Sequence, residues 1–546
     1  MTSQRQAGSA APWWRHAVVY QVYVRSFADG DGDGVGDLPG ITGRLGYLRD
    51  LGVDAVWLTP FYTSPQRDHG YDVADYRDVD PLFGTLADAD ELVREAHALG
   101  LRVVVDVVPN HTSSEHAWFR AALAAGPGSP ERARYLFRDG RGPDGAEPPN
   151  NWGSVFGGPA WTRVVDGDGA QAGDQWYLHL FDSSQPDLDW RNPEVGDLFE
   201  GVLRFWLDRG VDGFRIDVAH GLVKEATLRD QVVDKGADPG GAELEGGHSM
   251  VERVLQDEPM WDQPEVHDVY RRWHRVLSEY DGDRMAVAEA WTQTPESMAR
   301  FVRADELSQA FNFSWLLAPW SATAFAEVIR RTLDELAEVD AAPTWVLSNH
   351  DVARHATRYG GGRIGLSRAR AATLTMLALP GSAYLYQGEE LGLENVDVPP
   401  KARQDPAWHR TGRDWRDGCR VPLPWSGAAP PYGFGPGTGQ PWLPQPTDWA
   451  DRTVAAQEAD PASTLSFYRQ ALAARRKHAV DLPEDVDLLD AGPDVLTYRR
   501  SALTVVLNTG DGAVELPAGE IVVASGELDG RQLPPDTAVW LLPDLR

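Results

Sequence analysis

The segment Arg102–His111 reads RVVVDVVPNH, an apolar run of strand-forming residues that ends in a polar Asn-His pair. Three further runs have the same form: GFRID at 213–217, MAVAE at 285–289 and WVLSNHD at 345–351. In a barrel of parallel strands, the catalytic side chains come from the carboxyl ends of the strands. The polar residues that close these runs are therefore the first candidates for an active site.

Short strand-like runs alternate with amphipathic segments through most of the chain. Eight strands are predicted, at 17–25, 55–59, 102–108, 213–218, 285–289, 308–313, 344–348 and 383–387. Helices are predicted at 41–51, 86–99, 195–209, 266–280, 322–336 and 366–379. This alternation indicates the α/β class and a (β/α)₈ TIM barrel. An open doubly wound sheet is the alternative, but the count of eight and the polar strand ends favour the barrel.

Two stretches without a helical period interrupt the alternation. Residues 112–184 are rich in Gly, Pro, Asn and Trp, which predicts an inserted loop-rich domain B after the third strand. A second loop-rich stretch, about 388–450, follows the eighth strand. After a helical run at 462–477, short alternating runs with Gly, Pro and Asp turns predict a C-terminal all-β domain. The predicted domains are a barrel over 1–111 and 185–478, the insertion at 112–184, and the β-domain over 479–546.

The net charge of the chain limits the classes of binding partner that it can have. The 546 residues include 51 Lys+Arg and 82 Asp+Glu, a formal net charge of −31. So acidic a surface repels phosphate backbones and anionic lipid, and we expect neither a nucleic-acid nor a membrane partner. It also favours a neutral substrate over an anionic one. The hydrophobic content of 42% predicts a globular protein with a large core.

The sequence also carries signals about the compartment. A single cysteine, Cys419, excludes an intramolecular disulfide and suits a reducing environment. The segment Met1–Trp14 has no apolar stretch typical of a secretory signal, and no run of about 18 apolar residues occurs. We therefore expect a cytoplasmic protein. Its oligomeric state is not predicted.

Three carboxylates at predicted strand ends form a candidate catalytic group: Asp217, Glu289 and Asp351. Arg215 shares a strand face with Asp217 and is expected to keep it ionised, as a nucleophile requires. Glu289 follows small apolar residues and is expected to favour its protonated form, as a general acid requires. Taken singly, each residue is also compatible with a helix cap or a backbone hydrogen bond. Together they suit retaining cleavage of a glycosidic bond, which needs two carboxyls about 5–5.5 Å apart.

Four motifs, in chain order, resemble the four hallmark regions of the α-amylase family, glycoside hydrolase family 13: DVVPNH at 106–111, GFRID at 213–217, VAEAW at 287–291 and NHD at 349–351. QPDLD at 185–189 is similar to a fifth region in its oligo-1,6-glucosidase form. The segments 13–27 and 64–76 are similar to the α-glucosidase and oligo-1,6-glucosidase group. The resemblance covers nearly the whole chain. It implies a barrel domain A, an inserted domain B and a β-domain C.

Carried onto the matching positions, the resemblance implies Asp217 as nucleophile, Glu289 as general acid/base and Asp351 as transition-state stabiliser. It also implies a set of substrate-binding residues: Asp68, Tyr71, His111, Phe156, Phe181, Gln185, Arg215, His350 and Arg420.

Two of these substrate residues bear on the mode of attack. Asp68 would hold the outer hydroxyls of a terminal glucose and Tyr71 would stack on its ring, which closes the pocket and favours release of single glucose units. Arg420, in RDGCR at 416–420, resembles a gate-forming arginine. This chain departs from the group's motif there by carrying Gly418 and Cys419.

The segment Asp29–Asp37, DGDGDGVGD, has acidic residues at alternate positions. The spacing matches the first half of an EF-hand loop, with ligands from Asp29, Asp31, Asp33, the carbonyl of Val35 and Asp37. The twelfth position is Gly40 and not the usual Glu, so the loop is not an EF-hand. The resemblance implies a structural Ca²⁺ in this loop, with a solvated acidic turn as the alternative. No organic cofactor is expected.

The resemblance implies an exo-acting retaining α-glucosidase that acts on maltose, isomaltose, sucrose or short oligosaccharides. Val218 matches the valine of isomaltose-cleaving relatives, which favours α-1,6 bonds without excluding α-1,4 bonds. A transferring or isomerising relative, of the trehalose synthase or sucrose isomerase type, is an alternative because it shares the three carboxylates. A non-catalytic protein on the same fold, like the heavy subunits of amino-acid transporters, is disfavoured because all three carboxylates are present and no membrane anchor is found.

Overall fold

Eight parallel strands form the centre of the computed structural model, which describes residues 11–165, 171–232, 259–292, 294–437 and 439–544. We number them β1 to β8 in chain order: Val18–Val22, Ala55–Leu58, Arg102–Val107, Gly213–Ile216, Met285–Ala288, Gln309–Ala310, Thr344–Val346 and Ser382–Tyr386. Their order in the sheet is β6-β5-β4-β3-β2-β1-β8-β7. The backbone N–H of Asn312 donates to the carbonyl of Thr344, which links the end of β6 to β7. The predicted barrel and all eight predicted strands are confirmed.

Apart from the half-buried Arg102 at the start of β3, the strand residues are buried because the strands are covered on both sides. Every residue of β1, β2, β4 and β5 is buried. Their sequences are therefore nearly continuous apolar runs and do not alternate. The register between β3 and β4 places Asp106 beside Arg215, and that between β5 and β4 places Val287 beside the same arginine. Strand pairing alone thus brings two polar side chains together in the barrel interior.

Helices surround the barrel and fill its connections: Leu38–Thr42, Leu45–Leu51, Leu86–Ala98, Ala117–Ala125, Pro193–Asp208, Val266–Leu277, Pro295–Arg300, Phe313–Leu316, Ala322–Ala337, His355–Arg358, Gly362–Leu377, Pro406–Thr411, Val454–Glu458 and Thr464–His478. The predicted helix at 41–51 is two helices, separated at Gly43 and Arg44. Glycine is a poor helix former, and its neighbourhood is where the helical run breaks. The other predicted helices are present with ends shifted by a few residues.

The stretch between β3 and β4 has regular structure of its own. It contains the helix Ala117–Ala125 and a three-stranded antiparallel sheet of Phe137–Asp139, Gln171–Leu178 and Trp161–Val165, in that spatial order. The prediction of a loop-rich insertion was therefore incomplete. These strands are short, and the Gly- and Pro-rich sequence around them obscures the alternation of apolar and polar residues that would predict a strand. A small hairpin of Tyr62–Thr63 and Asp75–Val79 follows β2.

The C-terminal part is all-β, as predicted. Five antiparallel strands lie in the order Asp487–Leu489, Val495–Arg500, Leu503–Asn508, Thr537–Leu542 and Glu520–Ala524, and a smaller sheet pairs Val514–Glu515 with Gln532–Leu533. The sheet packs on the barrel helix Gly362–Leu377. Trp540 donates its indole N–H to the backbone carbonyl of Leu374 at 3.0 Å. The hydroxyl of Tyr498 donates to the backbone carbonyl of Thr375 at 2.5 Å.

Among the described residues, no helix is both long and apolar enough to cross a bilayer. Residues 1–10 of the segment in which no secretory signal was predicted lie outside the described residues.

Candidate active site

A narrow pocket lies at the carboxyl ends of the barrel strands, where the four sequence motifs meet. Its lining comprises Asp68, Tyr71, His111, Val155, Phe156, Phe181, Asp217, Val218, Glu289, His350, Asp351, Trp415 and Arg416. All three predicted catalytic carboxylates are in this set. Of the predicted substrate residues, Gln185, Arg215 and Arg420 lie behind the pocket wall and support residues that line it.

Arg215 organises the floor of the pocket. Its Nη1 lies 2.7 Å from Oδ1 of Asp217 and 2.8 Å from Oδ1 of Asp106, and its Nη2 lies 2.7 Å from Oε2 of Glu289. Arg215 is 1% exposed, so these bonds are not shared with bulk water. One planar group therefore holds the carboxyls of Asp217 and Glu289 as close neighbours. This arrangement is consistent with the spacing that retaining chemistry requires.

The protonation of Asp217 differs from the sequence-based expectation. Arg215 was expected to keep this carboxyl ionised, but burial raises the pKa of Asp217 well above its usual value, and Glu289 and Asp106 add to the rise. Burial also raises the pKa of Asp106, to about 7, against the opposing effect of Arg215. Three buried carboxyls around one guanidinium cannot all be charged near neutral pH. They therefore share at least one proton and titrate as a group.

The pKa of Glu289 shifts in the direction that its apolar setting predicted. Burial raises its pKa and the neighbouring Asp351 adds to the rise, against the effect of Arg215. Both carboxyl oxygens accept hydrogen bonds: Oε2 from the backbone N–H of Val218 and Oε1 from the indole N–H of Trp291, each at 2.9 Å. These bonds hold the carboxyl in one orientation.

Asp351 has the opposite electrostatic setting, because two arginines flank it and the imidazole of His350, whose own pKa burial holds well below its usual value, lies beside it. Nη2 of Arg420 lies 2.9 Å from its Oδ1, Nη1 of Arg416 lies 3.4 Å from the same oxygen, and Nε2 of His350 lies 3.2 Å from Oδ2. Burial acts to raise the pKa of Asp351, but His350 and the arginines outweigh it and hold the pKa well below its usual value. Asp351 is therefore ionised at neutral pH, next to a group that is partly protonated.

Asp68 is held by an arginine that the sequence reasoning did not select. Nη2 of Arg416 lies 2.9 Å from Oδ1 of Asp68, while its Nε lies 2.6 Å from Oδ2 of Asp405. The other oxygen of Asp68 accepts from the amide of Gln185 at 3.1 Å. Arg420, predicted as the gate, is fully buried and does not line the pocket. Arg416 opens the same RDGCR motif, so the motif was the right signal and its first arginine, not its last, reaches the pocket.

His111 is fixed by a buried polar chain. Nζ of Lys224 donates to Oδ1 of Asn110 at 2.6 Å and lies 2.8 Å from Oδ2 of Asp187. The amide of Asn110 lies 3.1 Å from Nδ1 of His111, whose Nε2 faces the carbonyl of Tyr71 at 3.1 Å. Burial lowers the pKa of His111 to about 4, so the imidazole is neutral at neutral pH.

Aromatic rings form the side walls. Phe181 lies 5.2 Å from the ring of His111 and 5.7 Å from that of Phe156, which in turn lies 6.1 Å from Trp415. On the opposite side, Tyr71 stacks on His350 at 5.3 Å, with an interplanar angle of 8°. Rings of this kind present apolar faces to a sugar while polar groups at the floor contact its hydroxyls.

The profile described as "Alpha amylase, catalytic domain" matches residues 21–482 of this chain. The chain belongs to the α-amylase family. A probable α-glucosidase of Rhizobium meliloti (strain 1021) is 38% identical over 511 residues, which cover 90% of this chain and 87% of that protein. An oligo-1,6-glucosidase of Parageobacillus thermoglucosidasius is 35% identical over 525 residues, covering 90% and 88% of the two chains. Among solved structures, an α-glucosyl transfer enzyme superposes with a TM-score of 0.85 at 36% identity, covering 98% of this chain and 100% of that one.

In this α-amylase family chain, several residues that support the pocket had no strong sequence signal. Asp106 and Trp291 lie inside recognised motifs but were not singled out. Lys224 lies seven positions after Asp217, beyond the strand predicted at 213–218. The signal that could have found them is the rule that a buried polar group needs a hydrogen-bond partner, which for each of these residues lies on another segment of the barrel.

The acidic loop gathers three of its four predicted carboxylates. Ligand oxygens of Asp29, Asp31 and Asp37 lie within 4.8 Å of one another. Asp33 is not in this group, and its Oδ1 accepts from the backbone N–H of Val35 at 2.7 Å. Three converging carboxylate oxygens are the donor type that a hard divalent cation takes.

Proposed function

We propose that this chain is an exo-acting retaining α-glucosidase that releases glucose from the non-reducing end of short, neutral α-glucosides. The observation that carries the proposal is the single buried guanidinium of Arg215, which holds Asp217 and Glu289 side by side at the floor of a closed pocket. Relatives described as α-glucosidase and oligo-1,6-glucosidase, similar over most of their length, support the same activity.

The proposed first step is attack by Asp217 on the anomeric carbon while Glu289 gives its proton to the leaving oxygen. This forms a covalent glucosyl-enzyme. In the second step, Glu289 removes a proton from water, which displaces Asp217 and releases glucose with its α configuration retained. The reactive form thus carries the shared proton on Glu289 and the negative charge on Asp217, beside Arg215. Asp351, held ionised by its cations, stabilises positive charge developing on the sugar ring.

The exo mode follows in this proposal from the pair of Asp68 and Arg416. Both groups are buried, at 3% and 6% exposure, and together with Asp405 they close one side of the pocket. A closed side leaves room for the terminal glucose and no room for a chain that continues beyond it. Asp68 and Arg416 present acceptors and donors for the outer hydroxyls of that glucose.

For linkage, we propose that α-1,4 and α-1,6 glucosides are both accepted. Val218 lines the pocket next to the carboxyl of Glu289, where the leaving sugar departs. A branched apolar side chain at this position favours an aglycone attached through a flexible CH₂ group, as in isomaltose, while α-1,4 bonds stay accessible.

We further propose that the acidic loop binds one structural divalent cation, Ca²⁺ or Mg²⁺. Asp29, Asp31 and Asp37 fit as its carboxylate ligands, with Asp33 and the carbonyl of Val35 as the remaining predicted ligands. The cation would join the segment after β1 to the helix Leu38–Thr42, which Asp37 caps through Gly40. It takes no part in the chemical steps.

A second candidate is transfer of the glucosyl group to another sugar. The relative of known structure described as an α-glucosyl transfer enzyme favours it, since the same glucosyl-enzyme would be intercepted by a sugar hydroxyl. The deciding experiment incubates the protein with maltose, isomaltose, sucrose and trehalose and follows the products by NMR. Hydrolysis with retention predicts α-glucose as the first product. New disaccharides would support transfer or isomerisation, and β-glucose as the first product would contradict the retaining mechanism.

A further inference from the structure

A second, larger cavity of about 1190 Å³ lies outside the active site and shares no residue with its lining. Its walls come from the helix Gly362–Leu377, the loop 392–399, the loop 444–452, the helix Val454–Glu458 and the start of the helix Thr464–His478. Small-molecule pockets typically enclose about 300–1,000 Å³. The cavity is therefore large enough to hold an organic ligand of several rings.

The cavity wall contains polar groups that the described part of the chain leaves unused. Gln445 is 94% buried and donates its amide to the carbonyl of Pro422 at 3.0 Å, but its Oε1 accepts from no described residue. Nε of Arg370 is buried and likewise has no described partner. Arg452, which is partly exposed, adds a second guanidinium to the same wall. Buried polar groups are normally paired, so Oε1 of Gln445 and Nε of Arg370 point to a ligand that completes them.

The charge of the wall determines which kind of ligand fits. Two guanidiniums, those of Arg370 and Arg452, stand among five carboxylates: Glu394, Asp397, Asp448, Asp451 and Asp460. An anion would meet five carboxylates, and four of these (Asp397, Asp448, Asp451 and Asp460) are exposed to solvent and form no enclosed cation site. Interspersed donors and acceptors instead suit an uncharged ligand with many hydroxyls. The half-buried indole of Trp449 adds an aromatic face, on which the C–H face of a sugar ring packs.

We propose that this cavity is a second binding site for a neutral oligosaccharide, separate from the site of bond cleavage. Trp449 would stack on one sugar ring, while Arg452, Arg370 and Gln445 would bond its hydroxyls. The choice of an α-glucan as ligand rests on the proposed function, whereas the cavity and its unused polar groups do not.

The test uses the Asp217→Asn protein, which cannot turn over its ligand, titrated with maltotriose by calorimetry. Two binding events are expected. Hydrogen exchange in the same protein should slow at 392–397 and 444–452 as well as near the active site. Trp449→Ala and Arg452→Gln should each weaken the second event at least 10-fold and leave the first within twofold. The matched control is Arg363→Gln, an exposed arginine on the same helix as Arg370 but outside the cavity, which should leave both events unchanged.

A single binding event, or a second event that neither substitution weakens, would overturn the proposal. Arg452 is partly exposed, so its replacement does not endanger folding and the test stands even if Trp449→Ala is unstable. Hydrolysis of p-nitrophenyl α-glucoside by the protein with an intact Asp217 is measured separately. Failure there would count against the proposed function, while loss of the second binding event would count against this inference alone.

Discussion

The backbone N–H of Val218 donates to Oε2 of Glu289 at 2.9 Å, from a residue whose φ is +48°. This left-handed conformation is unfavourable for a β-branched residue and costs about 1–3 kcal/mol. The residue immediately after the proposed nucleophile thus uses a strained backbone to orient the proposed acid/base. Its side chain meanwhile lines the pocket, so one position affects both catalysis and substrate choice.

Replacing Val218 with Ala should change linkage preference more than catalytic power. The backbone N–H that orients Glu289 is kept, while the branched side chain facing the leaving sugar is lost. We expect the ratio of kcat/KM for isomaltose to that for maltose to fall about 10-fold, equivalent to about 1.4 kcal/mol. Val155→Ala, which also shortens a pocket-lining valine, is the control. An unchanged ratio would remove Val218 from the determinants of linkage.

Asp217→Asn should lower kcat by about 10⁴-fold or more, roughly 5.5 kcal/mol of barrier, because the nucleophile is lost. Glu289→Gln should abolish maltose hydrolysis to a similar degree. It should retain the first, bond-breaking step on p-nitrophenyl α-glucoside, whose leaving group needs no proton. Pre-steady-state release of p-nitrophenol separates the two variants. A burst from Asp217→Asn and none from Glu289→Gln would reverse the assigned roles.

Arg416→Gln should weaken substrate binding through Asp68. Without its 2.9 Å ion pair, the Asp68 carboxylate keeps, among the described residues, the hydrogen bond from Gln185 and is held less firmly. We expect kcat/KM for maltose to fall 10- to 100-fold, about 1.4 to 2.7 kcal/mol, with most of the change in KM. Arg363→Gln, at an exposed arginine of the helix Gly362–Leu377 outside the pocket lining, is the matched control. Equal effects of the two substitutions would show that Arg416 acts only on folding.

The pH dependence of kcat/KM should reflect the proton that Asp106, Asp217 and Glu289 share. Glu289 must be protonated to act, so activity falls as pH rises through the raised pKa of the carboxyl group that holds this proton. Asp106→Asn removes a neighbouring negative charge, which lowers the pKa of that group. The alkaline limb of the kcat/KM profile should therefore move to lower pH. A shift to higher pH, or an unmoved limb, would mean that Asp106 is not coupled to the catalytic pair.

Removing the proposed cation should lower the melting temperature and leave activity well below that temperature intact. A ligand present at 100 times its Kd stabilises the folded state by about 2.7 kcal/mol. We expect EDTA to lower Tm by a few degrees and excess Ca²⁺ to restore it. Asp31→Asn should remove the response to Ca²⁺, whereas replacement of the exposed, more distant Asp511 should not. Identical melting curves with and without EDTA would argue against a resident metal.

Much of the fold was predictable because its signals are local. Most barrel strands are nearly continuous buried apolar runs, and each predicted catalytic residue follows such a run, as in MAVAE before the turn at Glu289. The local sequence predicted less of the structure in the insertion, where short strands such as Trp161–Val165 lie among glycines and prolines. It was also insufficient at RDGCR, where spacing alone did not distinguish Arg416 from Arg420.

The sequence by itself determined the barrel, the positions of its strands along the chain and which carboxylates stand at their ends, because hydrophobic period and chain direction are properties of neighbouring residues. Only the tertiary structure decided how those carboxylates are charged. Arg215 lies two positions from Asp217, yet the pKa of Asp217 rises, since Glu289 and Asp106 from other strands close around it and exclude water. Desolvation depends on every segment that packs against a group, and no local stretch of sequence contains that information.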